Sequence, residues 1–158
     1  MPKYQIIIGR SENIDFTGVS LGVPAKIDTG AFRSSVHASS IKETKNKDGE
    51  TVLKFNMFGH PSAPVKRPME VSRYDKLAVR SSNGEVEDRY EVTLKIKIGP
   101  RVFNTSFTLA DRSSNVFPVL IGREALKGRF MVDPSRTSVK RLELIKDHDH
   151  LSAEDMEI

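Results

Sequence analysis

The 158-residue chain has no cysteine. That excludes a disulfide framework, thiolate zinc sites and a cysteine nucleophile, and it fits a cytoplasmic protein. No apolar run approaches the ~18–20 residues needed to span a bilayer, so no membrane partner is expected. The opening Met1-Pro-Lys-Tyr-Gln-Ile-Ile-Ile-Gly-Arg10 has a patch of three isoleucines. It is too short for a signal-peptide core and no small-residue cleavage site follows it. It is expected to be a first strand, with Tyr4–Ile8 as its β-branched run. There is no phosphate loop of the Gly-x-x-x-x-Gly-Lys-Ser/Thr type. Nor is there a repeat or a heptad.

Charge of one sign is also scarce. The 25 basic and 21 acidic residues leave a net +4, too small to require nucleic acid and compatible with an acidic substrate. No clustered basic and aromatic face is present, which argues further against a nucleic-acid partner. The four histidines are His37, His60, His148 and His150, and none belongs to a His-Glu-x-x-His or comparable cluster. No metal and no cofactor is expected.

What the chain does contain is strand. Ser34–Ile41 alternates small polar with apolar residues, and Tyr90, Val92, Leu94, Ile96 and Ile98 alternate with polar neighbours. Such period-two runs have one wet and one buried face. Gly18–Gly22 and Val23–Ile27 are read as a hairpin, Asp48-Gly49 as a hairpin turn, and the three-proline stretch Gly59–Pro68 as a surface loop. Met69–Arg80 and Glu85–Gly99 flank a second turn at Asn83-Gly84, the pair preferred in tight hairpins. Arg101–Leu109, Phe117–Ile121, Arg129–Pro134 and Val139–Ile145 complete the strands. Gly122–Lys127 is read as a short helix stopped by Gly128. The sum is an all-β closed barrel with one short helix. Residues 1–145 are expected to form one domain, and 146–158 an acidic, flexible tail.

The run Leu21–Ile27 ends in Asp28-Thr29-Gly30-Ala31. An aspartate delivered at the end of a strand and followed by Thr-Gly is a candidate catalytic carboxylate. Gly30 lets the backbone turn sharply, and the Thr29 hydroxyl can bond neighbouring backbone and fix the loop. Ser34 and Ser35 directly follow and are candidates to support Asp28, or simply small residues beside a tight turn. Arg80 and Arg89 flank Asn83-Gly84 at similar distances. Two guanidinia near a hairpin tip are candidates to clamp substrate carboxylates.

Some ninety residues after Asp28 comes Phe117-Pro-Val-Leu-Ile-Gly-Arg-Glu-Ala-Leu126. In this order, Asp-Thr-Gly-Ala and Val-Leu-Ile-Gly-Arg-x-x-Leu resemble the retropepsin family of aspartic proteases. More narrowly, Ala25–Ala38 resembles a RimB-like bacterial branch labelled "ATP-dependent zinc protease", often encoded near ATP-grasp ligases that append glutamates to proteins. The resemblance runs from about Ile6 to Leu144. It implies a retropepsin-like barrel with Asp28, Thr29 and Gly30 as the catalytic motif, and Ala31, Arg80, Asn83 and Arg89 near bound peptide. It implies supporting roles for Gly122 and Arg123, the latter holding dimer and loop geometry. His37 matches the branch motif, as a site-lining residue or a hydrogen-bonded strand histidine. Positions 32 and 33 vary in the branch and inherit no role. Residues 42–68 look like an insertion, and the hairpin around Asn83-Gly84 looks like the flap that closes over peptide.

Aspartic proteolysis needs two carboxylates close enough to share a proton. With one Asp-Thr-Gly per chain, two copies should build the site across a two-fold axis. The expected function is a homodimeric aspartic endopeptidase acting on acidic or polyglutamate-modified protein tails. The alternative is a non-catalytic barrel that binds acidic peptide tails.

Overall fold

The computed structural model describes residues 6–80 and 84–139. The segment 140–158, with His148, His150, most of the expected last strand and the acidic tail, lies outside the described residues. So do Tyr4 and Asn83.

Ten strands and one helical turn are described: β1 (Ile6–Phe16), β2 (Ser20–Ile27), β3 (Ser34–Lys45), β4 (Thr51–Met57), β5 (Arg67–Val71), β6 (Asp75–Arg80), β7 (Val86–Ile98), β8 (Arg101–Ala110), β9 (Val119–Ile121), α1 (Arg123–Leu126) and β10 (Phe130–Thr137). Neighbours run β1-β2-β9-β3-β8-β7. Asp15↔Lys97 and Phe16↔Ile96 then join β7 back to β1, so six strands close into a barrel. Closure removes exposed sheet edges. Inside, Phe16 meets Phe58 and Phe107 at centroid distances of 5.3 and 5.5 Å. On β7, Val92, Leu94, Ile96 and Ile98 are buried while Thr93, Lys95 and Lys97 are exposed. The period-two pattern is thus the inside and outside of the barrel wall.

Several expected elements differ. Gly18–Gly22 and Val23–Ile27 are not a hairpin of their own. Ser20–Ile27 is one strand that pairs antiparallel with β1 around the Thr17–Val19 turn. The proline-rich stretch is loop only as far as Lys66, because Arg67 and Pro68 open β5. That strand pairs with β4 alone and is therefore an edge, where a missing N–H costs no ladder bond. Met69–Arg80 is broken into β5 and β6. The last described strand, β10, runs through Pro134 and lies parallel to β1.

The 42–68 region is an integral second sheet. The pairing of β3 with β4 shifts register between Ser39 and Lys42, where Ser40 takes a left-handed φ of 53°. Such a bulge bends a strand, and here β3 leaves the barrel wall to pair with β4 and β5. Leu53, Phe55 and Met57 of β4 then join the main core.

Candidate active site

Asp28 stands where β2 leaves the wall. Its N–H makes the last rung to β9, donating to Ile121 O at 2.9 Å. The chain then turns within four residues. Ala31 N donates to Asp28 O at 3.3 Å, and Gly30 N donates to Asp28 Oδ1 at 2.9 Å. One carboxylate oxygen is thereby oriented by backbone, and the other has no hydrogen-bond partner among the described residues. Gly30 is not in the left-handed region. A Cβ there would sit 3.1 Å from Asp28 Oδ1, a tight contact that would press on the carboxylate by a few tenths of an ångström.

The helical turn α1 holds this loop. The first N–H groups of a helix lack internal partners. Here they are spent on the loop: Arg123 N donates to Ala31 O at 2.7 Å and Glu124 N to Phe32 O at 3.0 Å. The Arg123 side chain adds Nη1 to Thr29 O at 3.1 Å. Buried beneath, Gly122 N donates to Ser34 Oγ at 3.0 Å. A Cβ on Gly122 would lie 2.6 Å from Arg33 O and 2.7 Å from Phe32 O, so only glycine fits between strand and loop. Ser34, Gly122 and Arg123 therefore buttress the loop directly. The expectation for Thr29 needs correction. Its side chain is exposed and its hydroxyl makes no hydrogen bond among the described residues, so it does not fix the loop within one chain. The backbone and Arg123 do that instead.

Behind the loop lies a polar cluster. His37 is buried on β3, and its Nδ1 accepts from Arg112 N at 2.9 Å. Burial is the main reason its pKa falls below the ordinary imidazole value. Asp111, 3.8 Å away, pulls it back up, and Arg112 and Lys66 add to the lowering. His60 is also buried. Its Nε2 faces Arg112 O at 3.0 Å and Asn115 O at 2.8 Å, while Nδ1 accepts from Ser62 N at 3.0 Å. Two carbonyls on one nitrogen and an N–H on the other describe a neutral ring protonated at Nε2. The two rings are 5.5 Å apart, but both nitrogens of His60 and Nδ1 of His37 are committed to backbone. Among the described residues no three such donors converge, and the pair does not fit zinc. Ser35 is half-exposed, and its Oγ accepts from Arg112 Nη1 at 3.2 Å.

Beyond the wall, β6 and β7 pair as an antiparallel ribbon at the position expected for the flap. Arg80 pairs with Val86 and Arg89 with Leu77. Cross-strand partners share a face and faces alternate, so positions 80 and 89 fall on opposite faces. A single two-arginine clamp is therefore not built within one chain, and the side chain of Arg80 lies outside the described structure. Position 89 shares its face with Glu91, whose Oε2 pairs with Arg33 Nη1 at 2.6 Å. On the other face, Tyr74 and Tyr90 donate to Glu43 at 2.8 and 3.0 Å, with Lys76 Nζ 3.6 Å away. These bonds hold the Glu43 carboxyl below its usual range and raise both phenols.

Sequence reasoning passed over Arg33, Glu43, Tyr74, Glu91 and Arg112. Arg112 sits in a short polar loop, and nothing local distinguishes it there. Its contact with Ser35 joins residues 77 apart.

The profile of the RimB-like family, described as the retropepsin-like aspartic endopeptidase RimB, matches residues 7–143. A probable alpha-L-glutamate ligase of Shewanella halifaxensis is 36% identical over 143 residues, which is 87% of this chain and 30% of that protein. A probable alpha-L-glutamate ligase of Desulfotalea psychrophila is 33% identical over 135 residues, 82% of this chain and 28% of that protein. The chain thus spans under a third of the length of these curated relatives. A crystal structure of a Legionella pneumophila protein of unknown function superposes with a TM-score of 0.69 and 30% identity, over 85% of this chain and 97% of that one. With the barrel, the Asp28 loop and its helical brace in place, the chain belongs to the RimB-like family of retropepsin-like aspartic endopeptidases.

Proposed function

We propose that the protein is an aspartic endopeptidase whose active site is completed by a second copy of itself. The observation that carries this is the Asp28 loop: one carboxylate oxygen tied to backbone, the other without a hydrogen-bond partner among the described residues, at an exposed Thr29-Gly30 edge. One carboxylate cannot serve as base and acid at once. Across a two-fold axis, two Asp28 side chains about 3 Å apart would hold one proton between them. The ionised member takes a proton from water, and the protonated member donates to the scissile carbonyl oxygen. The exposed Thr29 hydroxyl, with no hydrogen bond among the described residues, is available to the partner copy. Beside it, Phe32 is 55% exposed, and such an apolar surface at a loop suits a self-complementary contact.

The substrate class we infer is an acidic or polyglutamate-modified protein tail. Relatives named glutamate ligases carry a segment like this chain within a much longer protein. A hydrolase that trims glutamates is a natural counterpart to an enzyme that adds them.

The test is peptide-bond cleavage by wild type and Asp28→Asn, from pH 4 to 8, read by mass spectrometry. The substrates are a protein bearing an oligoglutamate tail and a mixed peptide pool. Cleavage by wild type alone is expected, with the acidic tail preferred. Equal cleavage by Asp28→Asn would end the aspartic mechanism. Tight retention of the acidic tail with no cleavage would instead favour the binding-module alternative.

A further inference from the structure

Strand register places Arg112 on the same surface as the catalytic aspartate. Lys26 pairs with Leu120, and Leu120 pairs with Ser35. Asp28 lies two residues beyond Lys26, so Asp28, Leu120 and Ser35 fall on one face of the β2-β9-β3 wall. All three are partly exposed, whereas Ile27, Ile121, Ser34 and Val36 between them are buried. This face is the floor beside Asp28. Over it, Arg112 is fixed in two directions, donating Nε to Phe117 O at 3.0 Å and Nη1 to Ser35 Oγ at 3.2 Å.

A guanidinium offers five N–H donors and keeps its charge at any working pH. Arg112 spends two of its donors on neutral acceptors. Among the described residues, no carboxylate comes within ion-pair distance of it. Burial disfavours its charge, and the carboxylate whose field offsets this is Asp28. A partly desolvated cation is stabilised well only by a matching anion. Two hydrogen bonds fix such a cation on the floor of the site, and no carboxylate of the described residues lies within ion-pair distance of it.

We infer that Arg112 is a specificity-determining residue that receives the side-chain carboxylate of a substrate glutamate close to the scissile bond. The inference rests on the acidic-tail reading above and names the residue that would enforce it. Two strand spacings separate Ser35 from Lys26, and Asp28 lies two residues further along, so Ser35 stands about 12 Å from the Asp28 backbone. An extended peptide covers that distance in about four residues, and in fewer when a glutamate side chain reaches toward the guanidinium. Leu120, between the two, would pack against the intervening aliphatic part of the substrate. A glutamine at the same position would fill the space but leave the cation unpaired.

The experiment separates this claim from the claim of turnover by measuring binding and cleavage independently. Binding is read by fluorescence anisotropy in the Asp28→Asn background, with an oligoglutamate-tailed peptide and its oligoglutamine counterpart. Adding Arg112→Gln is expected to weaken the glutamate peptide by about ten- to a hundredfold and to leave the glutamine peptide nearly unchanged. Arg112→Lys keeps the charge without the planar fork and should recover part of the loss. It also serves as the control for loop integrity, because Arg112 ties down Phe117 O; every variant is assayed below its own melting temperature. Equal loss on both peptides would overturn the inference. So would an unchanged glutamate preference accompanied by a shifted pH profile of cleavage, which would assign the guanidinium to Asp28 itself. If wild type binds with an Arg112-dependent preference but cleaves nothing, the peptidase reading fails and the inference stands. Cleavage with an Arg112-independent preference gives the reverse.

Discussion

The wall that carries Asp28 and the β6–β7 ribbon are both built from short β elements, but they are secured in opposite ways. The Asp28 loop is held by a backbone acceptor of β9 and backbone donors of α1, closed over the buried Ser34–Gly122 bond. The ribbon beyond Glu91 is held by side chains on the surface: Arg33 to Glu91 near the loop, and Tyr74, Tyr90 and Lys76 around Glu43. Buried backbone bonds are costly to break because the groups left behind find no water. Exposed ion pairs and phenol bonds exchange with solvent at little cost. The difference separates a surface that keeps the Asp28 carboxylate in place from a ribbon whose side-chain ties can exchange with solvent.

The strongest way to break this comparison is at Gly122. Its φ of −93° is ordinary, so only space forbids a side chain there. Gly122→Ala should force the strand away from the Phe32 and Arg33 carbonyls and destabilise by roughly 3 kcal/mol or more. Urea unfolding measures this, and a change within 1 kcal/mol, on the order of an ordinary surface substitution, would show that the wall is softer than described. Ser34→Ala should be milder. It leaves the buried Gly122 N–H without its acceptor, at about 1–3 kcal/mol. In a domain of this size that lowers the melting temperature by about 2–4 °C for each kcal/mol lost, and an unchanged melt would mean that another acceptor takes over. Glu43→Gln should leave the melting temperature unmoved. Amide hydrogen exchange across Asp75–Arg80 and Val86–Glu91 should nevertheless rise. Unchanged exchange would show that the ribbon is held by its own ladder rather than by Glu43.

Much of the wall was legible because its cues are local. Val92, Leu94, Ile96 and Ile98 announce a barrel strand by alternation alone. Asp28-Thr29-Gly30 and the Gly122-Arg123 pair carry a recognisable chemistry in a few consecutive residues. The ribbon was harder. Arg80 and Arg89 are spaced similarly about Asn83-Gly84 in the sequence, yet the register pairs Arg80 with Val86 and leaves position 89 three residues further along. An odd offset changes face, and parity of register is set by the turn rather than by the count of residues. The role of Thr29 was misjudged for a related reason: a hydroxyl's partner depends on where neighbouring chain segments pass.

By itself, then, the sequence determined the strand periods, the helical turn after Gly122 and the Asp-Thr-Gly motif that supplies one candidate carboxylate per chain. These depend on neighbours a few residues apart, and the rules for them are short-ranged. Only the tertiary structure decided that β1 and β7 close the barrel and that Ser40 turns β3 into a second sheet. It also decided that a loop arginine 84 positions after Asp28 reaches Ser35 on β3. Those outcomes depend on which buried surfaces meet and which polar groups must be satisfied when they do. Neither condition exists until the whole chain has packed.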